Sequence, residues 1–260
     1  MQSSFNLAVL STERHGGLMW KRYTSYQFAR HQLRIPLAEA EIAQAAAWLP
    51  VAFVFIDNSW QAVALCSLDE STNYLIDDQG RWRSPYVPSA LRGHPFGIRP
   101  EQPDQLCIDE TAEEVIDQYD AEPFFNQNGD LANFPKQVHA FLQQRLRSCQ
   151  TLSLKVAMLD QAALLMPWQP DEYTGAVPLY RIDEKKWNRQ TGKDIAGWWK
   201  KGLVPAVYAH MMSLPNLQTL KLRQRSPQAG QAQVKTATDS PLSDLREAMA
   251  TEQDYHWPTL

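Results

Sequence analysis

The chain has 260 residues, of which 44% are hydrophobic and 21% are charged, proportions that are ordinary for a soluble globular protein. Its 25 Lys and Arg residues are outnumbered by 29 Asp and Glu residues, which argues against an extended basic surface of the kind that binds nucleic acid. The sequence shows no secretory leader, and no apolar run approaches the ~20 residues of a membrane helix. We therefore expect a cytoplasmic protein without a nucleic-acid partner and without membrane insertion.

Cysteine and histidine lack the spacing of a disulfide framework or a metal site. The three cysteines, Cys66, Cys107 and Cys149, lie far apart and form no CxxC pair, and the six histidines stand singly. We predict reduced thiols, no metal and no cofactor. The nine tryptophans either fill a core or line a binding cleft, and the core is their more frequent place.

The first 35 residues predict a strand at residues 5–10 and a turn at Gly16-Gly17. Aromatic side chains then lie among basic ones, at Trp20, Tyr23, Tyr26 and Phe28. This mixture fits either a grip on single-stranded nucleic acid or a packed edge strand. The acidic balance of the whole chain favours the packed strand.

Residues 36–68 predict a helix followed by a hairpin. Pro36 and Pro50 bracket an alanine-rich segment, and its early Glu39 and Glu41 suit the positive end of a helix. Residues 51–56, VAFVFI, form an unbroken apolar run that is typical of a strand buried on both faces. A turn at residues 57–59 leads to a partner strand at residues 61–68.

Residues 73–100 predict a second hairpin and a long loop. Strands at residues 73–76 and 81–86 would flank a polar turn at residues 77–80, which extends the first hairpin into an antiparallel meander. Four prolines and two glycines exclude regular structure over most of residues 84–100. A loop of this length is commonly functional or held by specific contacts.

Residues 105–131 predict a strand at 105–109 and two polar segments. Seven carboxylates follow that strand and fit either a cation site or a solvated helix or loop: Asp109, Glu110, Glu113, Glu114, Asp117, Asp120 and Glu122. The pattern lacks the alternating ligands and central glycine of a calcium loop, which favours the solvated segment. Residues 126–130, NQNGD, predict a turn with Gly129 at positive φ.

The C-terminal half predicts mainly helices. Apolar spacing predicts two helices across residues 135–165 with a break near 148–153. A strand at 177–182 precedes a short helix capped by Asp183, and helices follow at 193–201, 204–214 and 217–222, with Gly202 ending the first of these.

The predicted fold class is therefore α+β, with an antiparallel meander in the N-terminal half, helices packed on it, and a helical C-terminal half. We predict a single domain over residues 1–222. Residues 223–260 are rich in Gln, Ser and Ala with few apolar anchors, and they predict a flexible tail.

Common catalytic templates do not occur in the sequence. The motifs GxSxG, GxxxxGK[ST], GxGxxG and HExxH are all missing. This pattern favours a protein that is not an enzyme.

The densest group of chemically versatile side chains lies in residues 77–96. An arginine can hold a carboxylate or phosphate in a bidentate fork, and a histidine titrates near neutral pH. The aromatic residues at positions 82 and 86 would share one face of a strand and offer a stacking floor for a ring. The ligand-binding candidates are Asp77, Arg81, Trp82, Tyr86, Arg92 and His94. The alternative is that these residues only brace a long loop.

A second candidate surface lies near the C-terminal helices, at Trp187, Trp198, Trp199 and Tyr208. Adjacent Trp198 and Trp199 cannot both point into one core from a helix. One of them should therefore be exposed or lie in a protein contact.

Residues 73–96, NYLIDDQGRWRSPYVPSALRGHPF, resemble the central motif of the SapC family, and we name them the signature segment. The matching residues fall in family order: Asp77, Gly80, Trp82, Tyr86, Pro88, Arg92, Pro95 and Phe96. Segments 36–41, 50–55, 124–131, 182–187 and 202–214 add to a resemblance that runs over residues 20–222, although the family more often has a DG pair where this chain has Asn128-Gly129. The resemblance implies a link to bacterial surface-layer or secretion systems and carries over no catalytic or ligand-binding residue.

Two functional hypotheses follow. The first is a non-enzymatic interaction protein that recognises a peptide, a glycan or a partner protein through the aromatic, arginine-bearing loop and the C-terminal surface. The second is an enzyme in which His94, Arg92 and nearby carboxylates supply acid–base and anchoring groups.

Overall fold

The computed structural model describes residues 7–117 and 121–225, and these residues divide into two units. The first unit contains residues 7–24, 91–117 and 121–146, and the second contains residues 25–90 and 147–225. The predicted single domain over residues 1–222 stays a prediction.

The first unit is built on two small antiparallel sheets. One has the order β1 (Leu7–Val9), β7 (Gln102–Asp109), β6 (Phe96–Arg99), and the other has the order β8 (Val115–Ile116), β2 (Met19–Trp20), β9 (Glu122–Pro123). A one-turn helix, α1 (Thr12–His15), connects β1 to β2 and is capped by the Ser11 hydroxyl, which accepts from the Arg14 N–H at 3.4 Å.

Large apolar side chains from both sheets form the core of this unit. Trp20, Phe96, Ile108 and Phe124 are buried there, and the first part of helix α4 (Asn133–Gln161) packs on them. Val138, Phe141 and Leu142 face this core because residues three and four apart share one side of a helix.

The second unit contains a five-stranded antiparallel sheet. Its order is β10 (Leu165–Trp168), β11 (Leu179–Ile182), β4 (Val51–Ile56), β5 (Ser59–Leu65) and β3 (Arg34–Pro36). The apolar run predicted for residues 51–56 is confirmed as a strand and lies in the centre of the sheet. The two edge strands each contain a proline, Pro167 and Pro36, which cannot donate to a further strand.

The helices of the second unit follow from clear local signals. They are α2 (Ile42–Ala46), α5 (Glu184–Trp187), α6 (Gly192–Lys200), α7 (Val204–Ser213) and α8 (Asn216–Arg225). The boundary between the two units falls within a further short helix, α3 (Ser89–Arg92). Asp183 caps α5 as predicted, and Thr191 and Asp194 form a capping box on α6. Gly202 has φ +66°, the left-handed conformation predicted for it. The buried side of α7 packs against α2, β4 and β11.

The fold class is confirmed as α+β, with antiparallel sheets in the N-terminal half and helices in the C-terminal half, but the second hairpin predicted at residues 73–86 is wrong. Residues 73–76 and 81–86 are not strands and share only an isolated bridge between Ile76 and Trp82. Side chains take the backbone donors that a ladder would use: the Asn73 amide oxygen accepts from the Leu75 N–H at 2.9 Å, and Asp77 accepts from the Gln79 and Arg81 N–H groups at 2.9 Å.

The other corrections also have local causes. The long loop is more regular than predicted, because α3 and β6 lie within residues 84–100. Strand pairing at residues 20–28 stops at Trp20, and a 3₁₀ turn follows at Gln27–Ala29. The helix predicted between the prolines at 36 and 50 is reduced to a 3₁₀ turn, Glu39–Glu41, and the five residues of α2.

Helix α4 runs unbroken for 29 residues, so the predicted break near residues 148–153 is wrong. The polar side chains that suggested a break are accommodated by the helix. The Thr151 hydroxyl donates to the Arg147 carbonyl at 3.0 Å, and the Ser148 hydroxyl accepts from the Ala40 N–H at 3.1 Å. Leu152 and Val156 are buried and fix the helix at this point.

The predicted tail begins within helix α8, which continues to Arg225, and residues 226–260 lie outside the described residues. Residues 5 and 6 of the predicted first strand also lie outside them. Over residues 7–117 and 121–225, no helix is both long and apolar enough to span a bilayer.

Candidate functional site

In the turn at residues 77–81, the charged side chains of Asp77 and Arg81 pair with each other. Asp77 accepts from the Arg81 guanidinium Nε at 2.8 Å in addition to the two backbone N–H groups of the turn. Burial acts to raise the pKa of Asp77, but the hydrogen bonds from Arg81 and Gln79 outweigh it and lower that pKa. Gly80 has φ +75°, and a Cβ there would lie 1.9 Å from the Ser25 hydroxyl, so the turn is specific for glycine.

The aromatic pair of the signature segment is fixed by hydrogen bonds at its polar atoms. The Trp82 indole N–H donates to the Tyr86 carbonyl at 2.8 Å, and the Tyr26 ring lies 5.7 Å from the Trp82 ring. The Tyr86 hydroxyl donates to the Glu41 carboxylate at 2.8 Å. These contacts brace the loop, which is the alternative that the sequence left open for the pair.

Glu41 is the residue of this region that sequence reasoning missed. It is buried, and its carboxylate accepts from the Ser89 N–H at 2.7 Å, the Ser89 hydroxyl at 2.5 Å and the Ala38 N–H at 2.9 Å, besides the Tyr86 hydroxyl. Four donors saturate a carboxylate. Partners 45 and 48 residues away carry no local signal, so the sequence suggested only a helix-dipole role.

His94 and Glu114 form a buried pair in the first unit. The His94 Nε2 lies 3.0 Å from the Glu114 carboxylate, only 6% of the His94 side chain is exposed, and the Tyr23 ring meets the imidazole edge at 6.0 Å. Burial acts to raise the pKa of Glu114, but the hydrogen bond and charge of His94 outweigh it and lower that pKa.

The six predicted ligand-binding residues fall in different units. Arg92 and His94 belong to the first unit. The others belong to the second: Asp77, Arg81, Trp82 and Tyr86.

A second His–Glu pair, His15 with Glu110, was also not predicted from the sequence. The His15 side chain is fully buried, its Nδ1 accepts from the Ser11 N–H at 3.1 Å, and its Nε2 lies 2.9 Å from Glu110. The Nδ1 also lies 3.2 Å from the Ser11 carbonyl oxygen, so both ring nitrogens have partners within the unit. Arg14 also pairs with Glu110, at 2.5 Å.

The acidic segment is thus less solvated than predicted. Asp109 is buried and accepts from the Thr111 hydroxyl at 2.6 Å, Glu110 and Glu122 pair with arginine side chains, and Glu114 lies beside His94. Asp120 lies outside the described residues. Over residues 7–117 and 121–225, no group of three or more His, Cys, Asp or Glu side chains is placed to hold a metal ion.

The C-terminal tryptophans differ in exposure. Trp187 is 2% exposed and belongs to the core, so it does not line a surface. Trp198 is half-buried, its indole N–H donates to the Gln190 amide oxygen at 3.1 Å, and the Lys201 ammonium lies 5.2 Å from its ring centre. Trp199 is 57% exposed, as expected for one member of the adjacent pair.

Helix α7 carries two further exposed side chains. Tyr208 is 48% exposed and Met212 is 75% exposed, and their spacing of four residues places them on one side of the helix. Helices α6 and α7 pack on each other, and the Trp187 and Tyr208 rings meet edge to face at 6.3 Å. We name Trp199, Tyr208 and Met212, with the exposed lysines of α6, the α6–α7 surface.

Comparisons with known proteins give one match. The SapC family model matches residues 10–220, which is most of the chain. Searches among curated proteins and among solved structures found no significant similarity. The chain therefore belongs to the SapC family.

Proposed function

We propose that this SapC-family protein is a non-enzymatic binding protein linked to cell-surface or secretion systems, and that it recognises its partner through the α6–α7 surface. One observation carries the proposal: three large apolar side chains on two packed helices, Trp199, Tyr208 and Met212, are each about half exposed or more. Exposed apolar side chains cost free energy in water, and patches of them are typical of interaction sites.

The signature segment is less suitable for recognition than the α6–α7 surface, because its polar groups already have partners. The Asp77 carboxylate, the Trp82 indole N–H and the Tyr86 hydroxyl all bind groups of their own unit. A ligand would have to replace those hydrogen bonds, which supports a bracing role for the segment.

A second candidate function is acid–base catalysis at His94. The buried 3.0 Å contact with Glu114 favours it, because a carboxylate orients an imidazole and stabilises its protonated form. The small exposure of His94 favours the binding protein instead, since a catalytic imidazole must touch its substrate.

The test is affinity capture from the native host with matched variants. We expect a partner recovered with the wild-type protein to be lost with Trp199→Ala and retained with Phe55→Ala. Phe55 is a suitable control because it is a comparably exposed aromatic residue, 48%, on strand β4. Equal recovery with both variants would contradict the proposal, as would a wild-type protein that captures neither a protein nor lipid.

A further inference from the structure

Helix α6 of the α6–α7 surface lies in a basic stretch of the chain. Residues 183–201 contain six cationic side chains, Lys185, Lys186, Arg189, Lys193, Lys200 and Lys201, against the three carboxylates Asp183, Glu184 and Asp194. The complete chain is acidic, with a net charge of −4. The local excess of positive charge points to an anionic partner.

Helix α6 exposes both cations and an aromatic side chain. Lys193 and Lys200 are seven residues apart and both exposed, so they form one stripe on α6. Ile195 and Trp199 are four residues apart and form a second stripe, which lies about 130° around the helix from the lysines. None of the residues of α6 is fully buried, so the helix lies on the surface of its unit.

The composition of the surface discriminates among anionic partners. Protein interfaces are enriched in Trp, Tyr, Met and Arg but depleted in Lys. Exposed Trp beside several lysines is instead the pattern of helices that lie in the headgroup region of a bilayer, where the aromatic ring enters the interface and the ammonium groups meet lipid phosphates. A second copy of the chain is disfavoured, because a two-fold contact would bring lysine stripes together.

We infer that the α6–α7 surface docks on the anionic surface of a lipid bilayer. Trp199, Tyr208 and Met212 enter the headgroup region, and Lys193 and Lys200 contact the lipid phosphates. This inference rests on the proposed function, because it names the partner of the same surface. It involves no membrane-spanning segment.

The experiment measures co-sedimentation of the full chain with lipid vesicles. We expect binding to vesicles of phosphatidylcholine mixed with phosphatidylglycerol, weaker binding to phosphatidylcholine alone, and release as the salt concentration rises. Trp199→Ala and Lys200→Glu should each weaken binding by at least about tenfold, since each removes an apolar anchor or reverses a charge.

Two control variants make the result specific. Phe55→Ala removes a comparably exposed aromatic side chain, and Lys136→Glu reverses an exposed lysine on α4. Both should bind anionic vesicles like the wild-type protein. Equal loss in Lys136→Glu and Lys200→Glu would overturn the inference, as would equal binding to neutral and anionic vesicles.

The outcome separates this inference from the proposed function. If the wild-type protein fails to bind anionic vesicles but still captures a protein that Trp199→Ala loses, the lipid assignment is overturned and the binding function stands. If neither vesicles nor any protein depends on Trp199, both are overturned.

Discussion

His210 is a buried ionisable group that the fold keeps neutral. Its side chain on α7 is fully buried, the Ile182 N–H donates to its Nε2 at 3.3 Å, and its ring lies 4.8 Å from the Phe53 ring. Burial lowers the pKa of His210 to about 4; a backbone hydrogen bond at Val51 offsets part of this lowering, and the charge of Arg181 adds a smaller lowering.

This lowered pKa predicts a loss of stability in mild acid. The unfolded chain binds a proton at His210 near pH 6.5, but the folded chain does not do so until about pH 4. The contribution to the free energy of unfolding is therefore complete above pH 6.5 and falls between pH 6.5 and 4, by up to roughly 3 kcal/mol. Urea unfolding at a series of pH values measures it. In His210→Gln the decline over this range should be smaller, and an identical pH dependence in both proteins would contradict the assignment.

The hydrogen bond between Tyr86 and Glu41 predicts that substitutions of these two residues have coupled effects on stability. Glu41→Gln presents an amide N–H₂ to donors that need an acceptor, so the free energy of unfolding should fall by about 1–3 kcal/mol. Tyr86→Phe removes a single donor and should cost about 1 kcal/mol. Chemical denaturation of the double variant should show less than the sum of the two losses, because both act on one hydrogen bond. Strict additivity would rule out the contact.

At the scale of the element, the β4–β5 hairpin shows what local sequence can specify. Asp57 and Asn58 have φ +50° and +58°, the two positive values of a type I′ turn, and both residue types tolerate this conformation. The register runs from Val51 opposite Ala64 to Ile56 opposite Ser59. Turn chemistry and apolar pattern agree here, so the prediction was correct.

The turn makes a direct prediction about position 58. Asn58→Val should lower the free energy of unfolding by about 1–2 kcal/mol, because a β-branched residue at positive φ brings its Cβ against the backbone. Asn58→Gly, which suits the turn, should leave the stability close to that of the wild-type protein. Thermal unfolding of both variants checks this, and equal stability of the Val and Gly variants would contradict the turn assignment.

Elements whose form depends on the hydrogen-bond partners of polar side chains were not predictable. The strands expected at residues 73–76 and 81–86 were wrong because Asn73 and Asp77 bind backbone N–H groups that a ladder would need. The prediction divided helix α4 near residues 148–153, but the Ser148 and Thr151 hydroxyl groups both have partners within the fold. The periodicity of apolar residues alone does not show which polar side chains will find hydrogen-bond partners.

At the scale of the whole molecule, the sequence correctly predicted the family and the α+β class, but not the partners of its polar residues. Exposure of one member of the Trp198–Trp199 pair followed from helix geometry alone. The pairs His94–Glu114 and His15–Glu110 and the four contacts of Glu41 join residues far apart in the chain, and single-sequence patterns do not encode such contacts.

The central claim is that recognition takes place on the α6–α7 surface, and site-specific photocrosslinking in the native host tests it most directly. A photoreactive phenylalanine analogue replaces Tyr208 in one variant and Phe55 in another, since both positions carry aromatic side chains that are 48% exposed. The account predicts crosslinked products, to lipid or protein, at position 208 and none at position 55. Equal crosslinking at both positions, or crosslinking at position 55 alone, would contradict it.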